Sequence, residues 1–565
     1  MIVGGRSCRT TTTTTPELEC NMPARQVVEF LESIGCCQRC ILIYLGERSE
    51  SLYESQIHLG KLVEEAAGAL EKSLEELPSQ TSETQTPDES QCPALSSEKN
   101  SHQLLTPDEG TIDIDGICMS ASNGQIEHVS KKQKYAVCIA CIGLLQSGST
   151  SNVITQISEA MLSGDHDADA FTLALALPVC LSLRVHRIWT LLKQAYPQIP
   201  EKGRTDHIAT MKDVWKNLVG PPLGKMVDKT FIQGQYIEFI MNISASYAGD
   251  MEDCKIMDQL CESTFALRRK QHKKYAGGVY SKQSVDAAIK RLTDEEFLKV
   301  CPNPPCIPTE AITFTGLKWQ RDSIYMAGRY NKYSRELPQT PWFVEGERKM
   351  GSSVQELLCE ILNKSVKAED YRFSSSGRED VDVRCLGNGR PFVIEFINPC
   401  KTRFSRKEIT EFQKEVNLSS EMIQLRDLQI VDKKDVKNLK EGEEEKTKAY
   451  CALCIARSGY DPSLLNQLSG VKELVIQQKT PVRVLHRRPL LTRPRIIHEM
   501  WASSIDNFFF KLHLTTQAGT YIKEFVHGDL GRTTPNVRSI LGLDVDIIAL
   551  DVERVALDWP PKCSE

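Results

Sequence analysis

The apolar positions after residue 350 follow first a helical and then a strand-like period. Residues 354, 357, 358, 361 and 362 are apolar at helical spacing, behind a capping-box pair formed by Ser353 and Glu356. Val381, Val383 and Cys385 alternate with polar residues, and an apolar run at 392–396 follows Gly387-Asn388-Gly389. The pattern predicts a helix to about residue 364 and then a β-hairpin around the Gly-Asn-Gly turn.

The remainder of this half continues with strand-like and helical stretches around one charged insert. Residues 432–448 are almost all charged and read as an insert between strands. The hydrophobic pattern predicts strands at 450–456, 482–486, 508–515 and 546–555, and a helix at 464–478.

The first half is organised differently, with long polar stretches around apolar segments. Residues 1–25 contain a run of threonine and read as a disordered tail, and residues 73–133 have the composition of a solvated acidic insert. Apolar segments at 171–183, 185–196 and 236–243 predict alternating helices and strands. The proline-rich residues 301–309 cannot continue a helix, so we expect an accessory domain at 26–300, a linker, and a second domain at 310–565.

Length and charge set the class of protein. A chain of 565 residues exceeds the size of one core, and it has no uncharged apolar run of about 18 residues. We therefore expect a soluble intracellular protein without membrane association. The net charge is −6, but residues 73–115 carry ten acids against one lysine (−9), while residues 480–538 carry nine Lys and Arg against four acids (+5). This segregation allows a nucleic-acid surface.

Two similar cysteine pairs flank the acidic insert. Cys37 and Cys40 form one C-x-x-C pair and Cys138 and Cys141 form another, and two such turns supply four thiolates for tetrahedral zinc. The long gap between the pairs leaves the alternative of four buried apolar cysteines, and Cys36 is a possible substitute ligand. The third pair, Cys451 and Cys454, lies in a predicted strand, where alternation sends the two side chains to opposite faces, so we interpret them as packing residues.

The loop before the predicted hairpin has the composition of a ligand site. Gly377 permits a close backbone approach, Arg378 is a candidate phosphate contact, and Asp380 is the last loop residue, whereas Asp382 lies in the strand on its polar face. The alternative is a surface turn capped by serine and aspartate.

An arginine-rich segment follows at 482–495, and its prolines Pro489 and Pro494 predict an extended ribbon. An extended ribbon follows a phosphate backbone well, so its arginines are candidate RNA-binding residues: Arg487, Arg488, Arg493 and Arg495. The alternative is an edge strand protected by charge. The basic cluster at 268–274 is typical of a solvated helix face, with RNA or import-factor contact as the alternative.

These segments together resemble a known family. Gly377-Arg-Glu-Asp380 resembles the catalytic loop of pseudouridine synthases, and Ala518-Gly-Thr-Tyr-Ile-Lys523 resembles their later basic motif. With the segments 327–342, 347–349 and 527–532, the sequence over about 310–557 resembles the archaeal and eukaryotic transfer-RNA pseudouridine synthase family Pus-ten. The resemblance implies that Asp380 is the catalytic carboxylate, that Tyr450 stacks on the target base, and that Lys523 pairs with the carboxylate.

The resemblance also implies a fold and a substrate. We expect an α+β protein, in which a zinc-bearing, THUMP-like RNA-binding domain precedes a mixed-sheet catalytic domain. The expected substrate is the T-arm of tRNA, at uridine 55 and, as a second option, uridine 54, modified by base flipping without an organic cofactor. We expect a monomer in the nucleus and cytoplasm.

Two other functions stay open at this point. One is an RNA-binding or RNA-processing adaptor that keeps the synthase fold without turnover. The other is a THUMP-linked RNA methyltransferase, although the sequence lacks the glycine-rich loop of a nucleotide-type cofactor site.

Overall fold

The computed structural model describes residues 24–45, 137–197, 206–271, 278–437, 439 and 446–563. The acidic insert at 73–133 and nearly all of the predicted tail lie outside the described residues, as does part of the charged insert at 432–448. Within this part of the chain no helix is both long and apolar enough to cross a membrane.

The described helices and strands follow in chain order. The α-helices are α1 (Ala24–Ser33), α2 (Gln38–Tyr44), α3 (Ser147–Ser163), α4 (Cys180–Ala195), α5 (Asp206–Val227), α6 (Asp250–Cys254), α7 (Met257–Leu260), α8 (Glu262–Lys270), α9 (Lys282–Ile289), α10 (Asp294–Val300), α11 (Val354–Val366), α12 (Arg406–Ser419), α13 (Ile522–His527) and α14 (Val537–Leu541). Short 3₁₀ helices occupy Pro462–Gln467, Val482–Val484 and Asp529–Gly531. The strands are β1 (Ala170–Ala176), β2 (Thr230–Phe231), β3 (Phe239–Ser246), β4 (Thr313–Arg321), β5 (Ile324–Lys332), β6 (Phe343–Val344), β7 (Glu347–Arg348), β8 (Ala368–Ser375), β9 (Val383–Pro399), β10 (Ile423–Val431), β11 (Lys448–Ala456), β12 (Lys472–Lys479), β13 (Thr492–Ser504), β14 (Phe509–Thr516), β15 (Thr533–Thr534) and β16 (Val545–Val555).

The chain divides into two compact units that are discontinuous in sequence. One unit takes its residues from 1–146, 179–211 and 248–311, and the other from 147–178, 212–247 and 312–565. The sequence analysis instead expected contiguous domains, and its boundary at 301–309 stays a prediction.

The first unit is helical and is tied together by a buried arginine. Arg184 on α4 is 3% exposed, forms a 2.6 Å ion pair with Asp253, and donates hydrogen bonds to the carbonyl oxygens of Ile139 and Cys306. A charge this deeply buried is stabilised only when its donors are satisfied. Arg184 therefore fixes three distant segments of this unit to one another.

The second unit contains a small mixed sheet with the order β2-β1-β3-β4. Strand β1 is parallel to both β2 and β3, whereas β4 runs antiparallel to β3. The apolar segments predicted at 171–183 and 236–243 supply β1 and β3. The THUMP-like character of this region stays a prediction.

The same unit contains the large sheet that carries the candidate site. Its order is β10-β5-β9-β16-β11-β14-β13-β12-β15, with β8 added on β9. Side chains alternate between the two faces, so Met326 and Ile394 pack under α11 and α12 while Ala327 and Val393 face the other core. The β9–β16 pair is parallel, and it brings Val383 beside Leu550 in the middle of the sheet.

The predicted hairpin at 381–396 is wrong, because β9 is one continuous strand. Cys385 and residues 390–396 all pair antiparallel with β5, and the register shifts between them. Gly387 and Gly389 have φ values of +59° and +74°, and a Cβ on Gly387 would lie 1.9 Å from the Glu553 carbonyl oxygen. The Gly-Asn-Gly segment therefore forms a bulge within a strand, and the pairing with β5 and β16 decides this outcome.

Two other expectations in this half are wrong. The predicted helix at 464–478 is replaced by the 3₁₀ helix Pro462–Gln467 and strand β12, on which Ile476 and Gln478 are buried at alternate positions. The predicted strand at 482–486 is a 3₁₀ turn, so the arginine-rich segment becomes extended only from Thr492 in β13. Proline at 481 and 489 limits the segment to a turn between two strands.

The remaining elements predicted in this half are confirmed. Helix α11 begins after Ser353, whose side chain accepts a hydrogen bond from the Glu356 backbone amide, and the strands predicted at 450–456, 508–515 and 546–555 are β11, β14 and β16.

Candidate active site

The loop from Gly377 to Asp382 joins β8 to β9 and is anchored from below by a buried carboxylate. Glu379 forms a 2.7 Å ion pair with Arg390 and accepts a 2.8 Å hydrogen bond from the Tyr330 hydroxyl. The side chains of Glu379 and Arg390 are 0% and 2% exposed. Removing one partner of such a pair leaves an uncompensated buried charge, so the pair holds the loop in one conformation.

Two further contacts fix the backbone of this loop. The buried ammonium of Lys332 donates to the carbonyl oxygens of Asp380 and Val381 at 3.1 and 2.8 Å, and burial lowers its pKa although Glu379 opposes that effect. Gly377 has a φ of +85°, and a Cβ there would lie 2.6 Å from the Lys448 ammonium. Glycine is thus required where the chain turns above two cationic side chains.

Asp380 projects from the anchored loop toward two cations. One of its carboxylate oxygens lies 2.9 Å from Arg483 Nη1 and 3.5 Å from Lys523 Nζ, and the Asp380 side chain is 36% exposed. The carboxylate is therefore held by charge on its protein side and remains accessible from the cleft.

Arg483 is itself held by a second acid. Its Nε donates to Glu524 Oε1 at 2.7 Å, and the Glu524 side chain is 2% exposed. Burial lowers the pKa of Arg483, but the ion pairs with Glu524 and Asp380 outweigh burial and raise it overall. The guanidinium also lies 5.9 Å from the centre of the Tyr521 ring. Arg483 is thus clamped between a buried and an accessible carboxylate.

Lys523 bridges both aspartates that the sequence analysis compared. Its ammonium lies 2.7 and 2.6 Å from the two oxygens of Asp382, closer than the 3.5 Å to Asp380. Asp382 precedes β9 and is not inside it as predicted, and its carboxylate binds the Lys523 ammonium. Burial raises the pKa of Asp382, and the Lys523 charge reverses this to a net lowering.

The turn before Lys523 is positioned by one buried amide. Gln478 on β12 is 3% exposed, donates to the Tyr521 carbonyl oxygen at 3.0 Å, and accepts from the Tyr521 amide at 2.9 Å. These paired hydrogen bonds orient the start of α13 and so place Lys523 beside the loop at 377–382.

Tyr450 lies near the start of β11, with Leu514 and Val552 as its neighbours on the flanking strands. Burial raises its pKa to about 12. The neutral phenol ring forms part of the cleft wall, which suits a flat apolar contact with a base.

The predicted residues converge on one cleft of about 1080 Å³. Asp380, Tyr450, Lys523 and Arg378 line it, and the candidate RNA-binding residues of the arginine-rich segment also line it: Arg487, Arg488, Arg493 and Arg495. Arg378 is exposed on the loop. The arginine-rich segment is therefore part of the cleft rim and not an isolated edge strand.

The four predicted metal ligands meet in the first unit. The Sγ atoms of Cys37 and Cys141 are 3.9 Å apart and those of Cys138 and Cys40 are 3.8 Å apart, and all four lie within 4.8 Å of one another. Tetrahedral zinc–thiolate bonds of about 2.3 Å place sulfur atoms about 3.8 Å apart. The geometry fits one metal ion, and Cys36 is not part of this group of ligands.

Comparisons with known proteins give the family. The model described as "Pus10, C-terminal" matches residues 325–556, and "Eukaryotic Pus10, N-terminal" matches residues 138–318. The human tRNA pseudouridine synthase Pus10 is 37% identical over 541 residues, covering 96% of this chain and 98% of the human protein. The chain belongs to the Pus10 family. The mouse Pus10 protein is 38% identical over the same shares of both chains, and the Pus10 protein of Thermofilum pendens is 36% identical over 48% of this chain and 61% of its own.

The sequence analysis missed Arg483 as a neighbour of Asp380 and Glu524 as the acid that binds Arg483. Arg483 lies in the arginine-rich segment at 482–495, and a one-dimensional pattern of positive charge does not separate a residue that contacts a carboxylate from one that lines the rim. The available signal for Glu524 was its position: it is an acid next to Lys523 in the otherwise apolar helix α13.

Proposed function

We propose that this Pus10 family member is a tRNA pseudouridine synthase and that Asp380 is its catalytic carboxylate. The observation that carries the proposal is the convergence of Asp380, Tyr450, Lys523 and a basic rim on one cleft. Membership of a family whose curated relatives are named tRNA pseudouridine synthases supports it.

The reaction requires a carboxylate and no external reactant. The bond between N1 of uracil and C1′ breaks, the base turns, C5 bonds to C1′, and the proton on C5 is lost while N1 gains one. Asp380 either attacks C1′ to form an ester or removes the 2′ proton, and both routes need the ionised form. Because Asp380 is 36% exposed at the cleft, a flipped nucleotide has access to it.

Arg483 and Lys523 orient this carboxylate from the protein side. The 2.9 Å contact with Arg483 occupies one oxygen, which directs the other toward the cleft. Tyr450 on the cleft wall offers a stacking surface for the extruded uracil, and a base–aromatic stack contributes about 1–3 kcal/mol.

We propose the T-arm of tRNA as the substrate, at uridine 55 with uridine 54 as the second candidate. Support comes from the family resemblance of the motifs and from the rim, where Arg487 and Arg488 line the cleft beside Arg483. Phosphate contacts of this kind position RNA without reading its sequence.

A direct assay tests the activity. The purified chain is incubated with an unmodified tRNA transcript, and pseudouridine is mapped at single-nucleotide resolution by carbodiimide treatment and primer extension. We expect modification in the T-arm, and a loss of at least about 1,000-fold in the single-turnover rate for Asp380→Asn with RNA affinity retained. The control is Asp370→Asn, an exposed acid on β8 outside the cleft.

Other results would select another function. RNA binding without modification would support the adaptor, and methyl transfer from S-adenosylmethionine would support the methyltransferase. Full activity in Asp380→Asn would contradict the assignment of the catalytic residue.

We also propose that Cys37, Cys40, Cys138 and Cys141 hold a structural zinc ion. The matching sulfur spacing supports zinc, and a closed four-thiolate site leaves no position for a substrate. The ion would link residues 37–40 to residues 138–141, which are separated by about a hundred residues in sequence. The free energy of metal binding would offset the entropy lost when the ends of this long segment are held together.

A further inference from the structure

A row of side chains crosses the large sheet on the face opposite to Tyr450. Trp501, His513, Cys451 and Asp551 are successive register partners on β13, β14, β11 and β16. Because side chains alternate along a strand, Cys451 points away from the cleft that its neighbour Tyr450 lines. A bulge in β16 near Val552 places Glu553 against the same row, with its carboxylate 3.6 Å from His513 Nδ1.

Three of these residues bring different metal-binding atoms together. Cys451 Sγ is 3.9 Å from His513 Nε2, and one donor atom from each of Cys451, His513 and Glu553 lies within 4.8 Å of the others. Around tetrahedral zinc, bonds of about 2.3 Å to sulfur and 2.0–2.1 Å to nitrogen place these two atoms about 3.5 Å apart. The Glu553 carboxylate lies nearest the other ring nitrogen, Nδ1, so one ion at Nε2 requires the 44% exposed Glu553 side chain to turn toward that nitrogen.

The surroundings orient the ring and remove a competing ligand. The His513 ring stacks on Trp501 with centroids 3.8 Å apart and an interplanar angle of 11°. Asp551, the other carboxylate in the row, is bound by Arg384 at 2.6 Å and by Arg335 at 2.6 Å. Two guanidinium groups bind Asp551, which removes it as a metal ligand, whereas among the described residues Glu553 forms an ion pair with His513 and with no arginine.

We propose that Cys451, His513 and Glu553 form a second metal site that binds zinc through one sulfur, one nitrogen and one oxygen atom. On binding, the Cys451 thiol releases its proton to solvent, and water completes the fourth position. The three ligands come from three adjacent strands, β11, β14 and β16. The ion would therefore cross-link these strands on the face of the sheet opposite to the cleft. A thiolate, an imidazole and a carboxylate together are ligands that suit zinc better than magnesium or calcium.

The test uses cobalt(II) as a spectroscopic probe of the full chain. The protein is first loaded with one equivalent of zinc, which fills the four-cysteine cluster, and cobalt(II) is then added. We expect about one further equivalent of cobalt to bind, with a thiolate-to-cobalt charge-transfer band from a single sulfur ligand. Cys451→Ser should abolish this band and His513→Gln should weaken cobalt binding at least 10-fold. The matched control is Cys306→Ser, which removes an exposed thiol elsewhere and should leave the band unchanged.

A second variant keeps the proposal testable if a strand substitution unfolds the chain. The Glu553 side chain is 44% exposed, so Glu553→Gln is expected to fold and to weaken cobalt binding without loss of the thermal transition. The absence of cobalt binding beyond the four-cysteine cluster, or an unchanged band in Cys451→Ser and Glu553→Gln, would overturn the proposal.

Discussion

Arg483 joins the accessible carboxylate of Asp380 to the buried carboxylate of Glu524, with distances of 2.9 and 2.7 Å. The two ion pairs therefore hold the guanidinium in a fixed position at the wall of the cleft. This relationship makes Arg483 a positioning residue for Asp380, in addition to the expected Lys523.

Substitution of Arg483 tests this role. A hydrogen bond to a charged group contributes about 1.5–3 kcal/mol, so Arg483→Ala should lower the single-turnover rate about 10- to 100-fold. RNA affinity should change less than the rate. Arg487→Ala, in the same segment but without a contact to Asp380, is the matched control and should lower affinity more than rate. If Arg483→Ala lowered RNA affinity as much as Arg487→Ala does and left the rate unchanged, Arg483 would belong to the RNA-binding rim.

Tyr450 offers a test of base stacking in the cleft. Tyr450→Phe keeps the flat ring and should retain the modification rate within about threefold. Tyr450→Leu keeps much of the apolar volume but removes the stack, and it should cost about 1–3 kcal/mol, or roughly 5- to 150-fold in rate. Single-turnover kinetics on a tRNA transcript measures both. Similar rates for Phe and Leu at this position would show that the ring acts only by packing.

The basic rim should be visible in the salt dependence of binding. Arg487→Ala/Arg488→Ala removes the two phosphate contacts proposed for these residues, so the slope of log affinity against log salt should become shallower by about 1–2 units. Filter binding or fluorescence anisotropy at several salt concentrations gives the slope. Lys414→Ala, an exposed residue on α12 outside the cleft, should leave it unchanged. The same slope in the double variant and the wild type would remove these arginines from the interface.

The buried side chain of His166 should make the free energy of unfolding depend on pH. It is 7% exposed between Phe239 and Trp319, and burial, together with the charges of Arg321 and Lys229, lowers its pKa to about 4. The unfolded chain then binds more protons than the folded chain between pH 6.5 and about 4, so this contribution is complete above pH 6.5 and is lost as pH falls through that window.

Urea unfolding at two pH values measures this effect. Between pH 7 and pH 5 the wild type should lose about 2 kcal/mol more than His166→Leu, in which the titrating group is absent. An identical pH dependence in both proteins would show that His166 does not titrate in this way.

The four-cysteine cluster should couple metal to the stability of the first unit. Removal of zinc with a strong chelator should lower the thermal midpoint, and added zinc should restore it. Cys141→Ser should show a lower midpoint that added zinc does not restore. Elemental analysis should find about one zinc atom fewer in this variant than in the wild type, and an equal zinc content would contradict the ligand assignment.

Local sequence patterns correctly predicted those helices and strands whose conformation does not depend on contacts with distant parts of the chain. The capping residue Ser353 and the apolar stripe of α11 specify a helix by themselves, and the short apolar run at 450–456 predicted the strand β11. The sequence did not reveal that Gly387-Asn388-Gly389 forms a bulge, because the turn signal is the same in a hairpin. The outcome depends on β5 and β16, which contact this segment from distant parts of the chain.

The sequence by itself determined the chemical groups of this protein: the Gly-Arg-Glu-Asp loop, the Tyr450 strand, the basic turn at Lys523 and the paired cysteines. Spacing and residue type pointed to the paired cysteines, whereas the roles expected of Asp380, Tyr450 and Lys523 came from the resemblance of their local motifs to a known family. Only the tertiary structure decided which charges meet, and it placed Arg483 at 2.9 Å and Lys523 at 3.5 Å from Asp380, with Asp382 as the nearer partner of Lys523. Ion pairs between residues a hundred positions apart depend on strand order and register, which no local pattern contains.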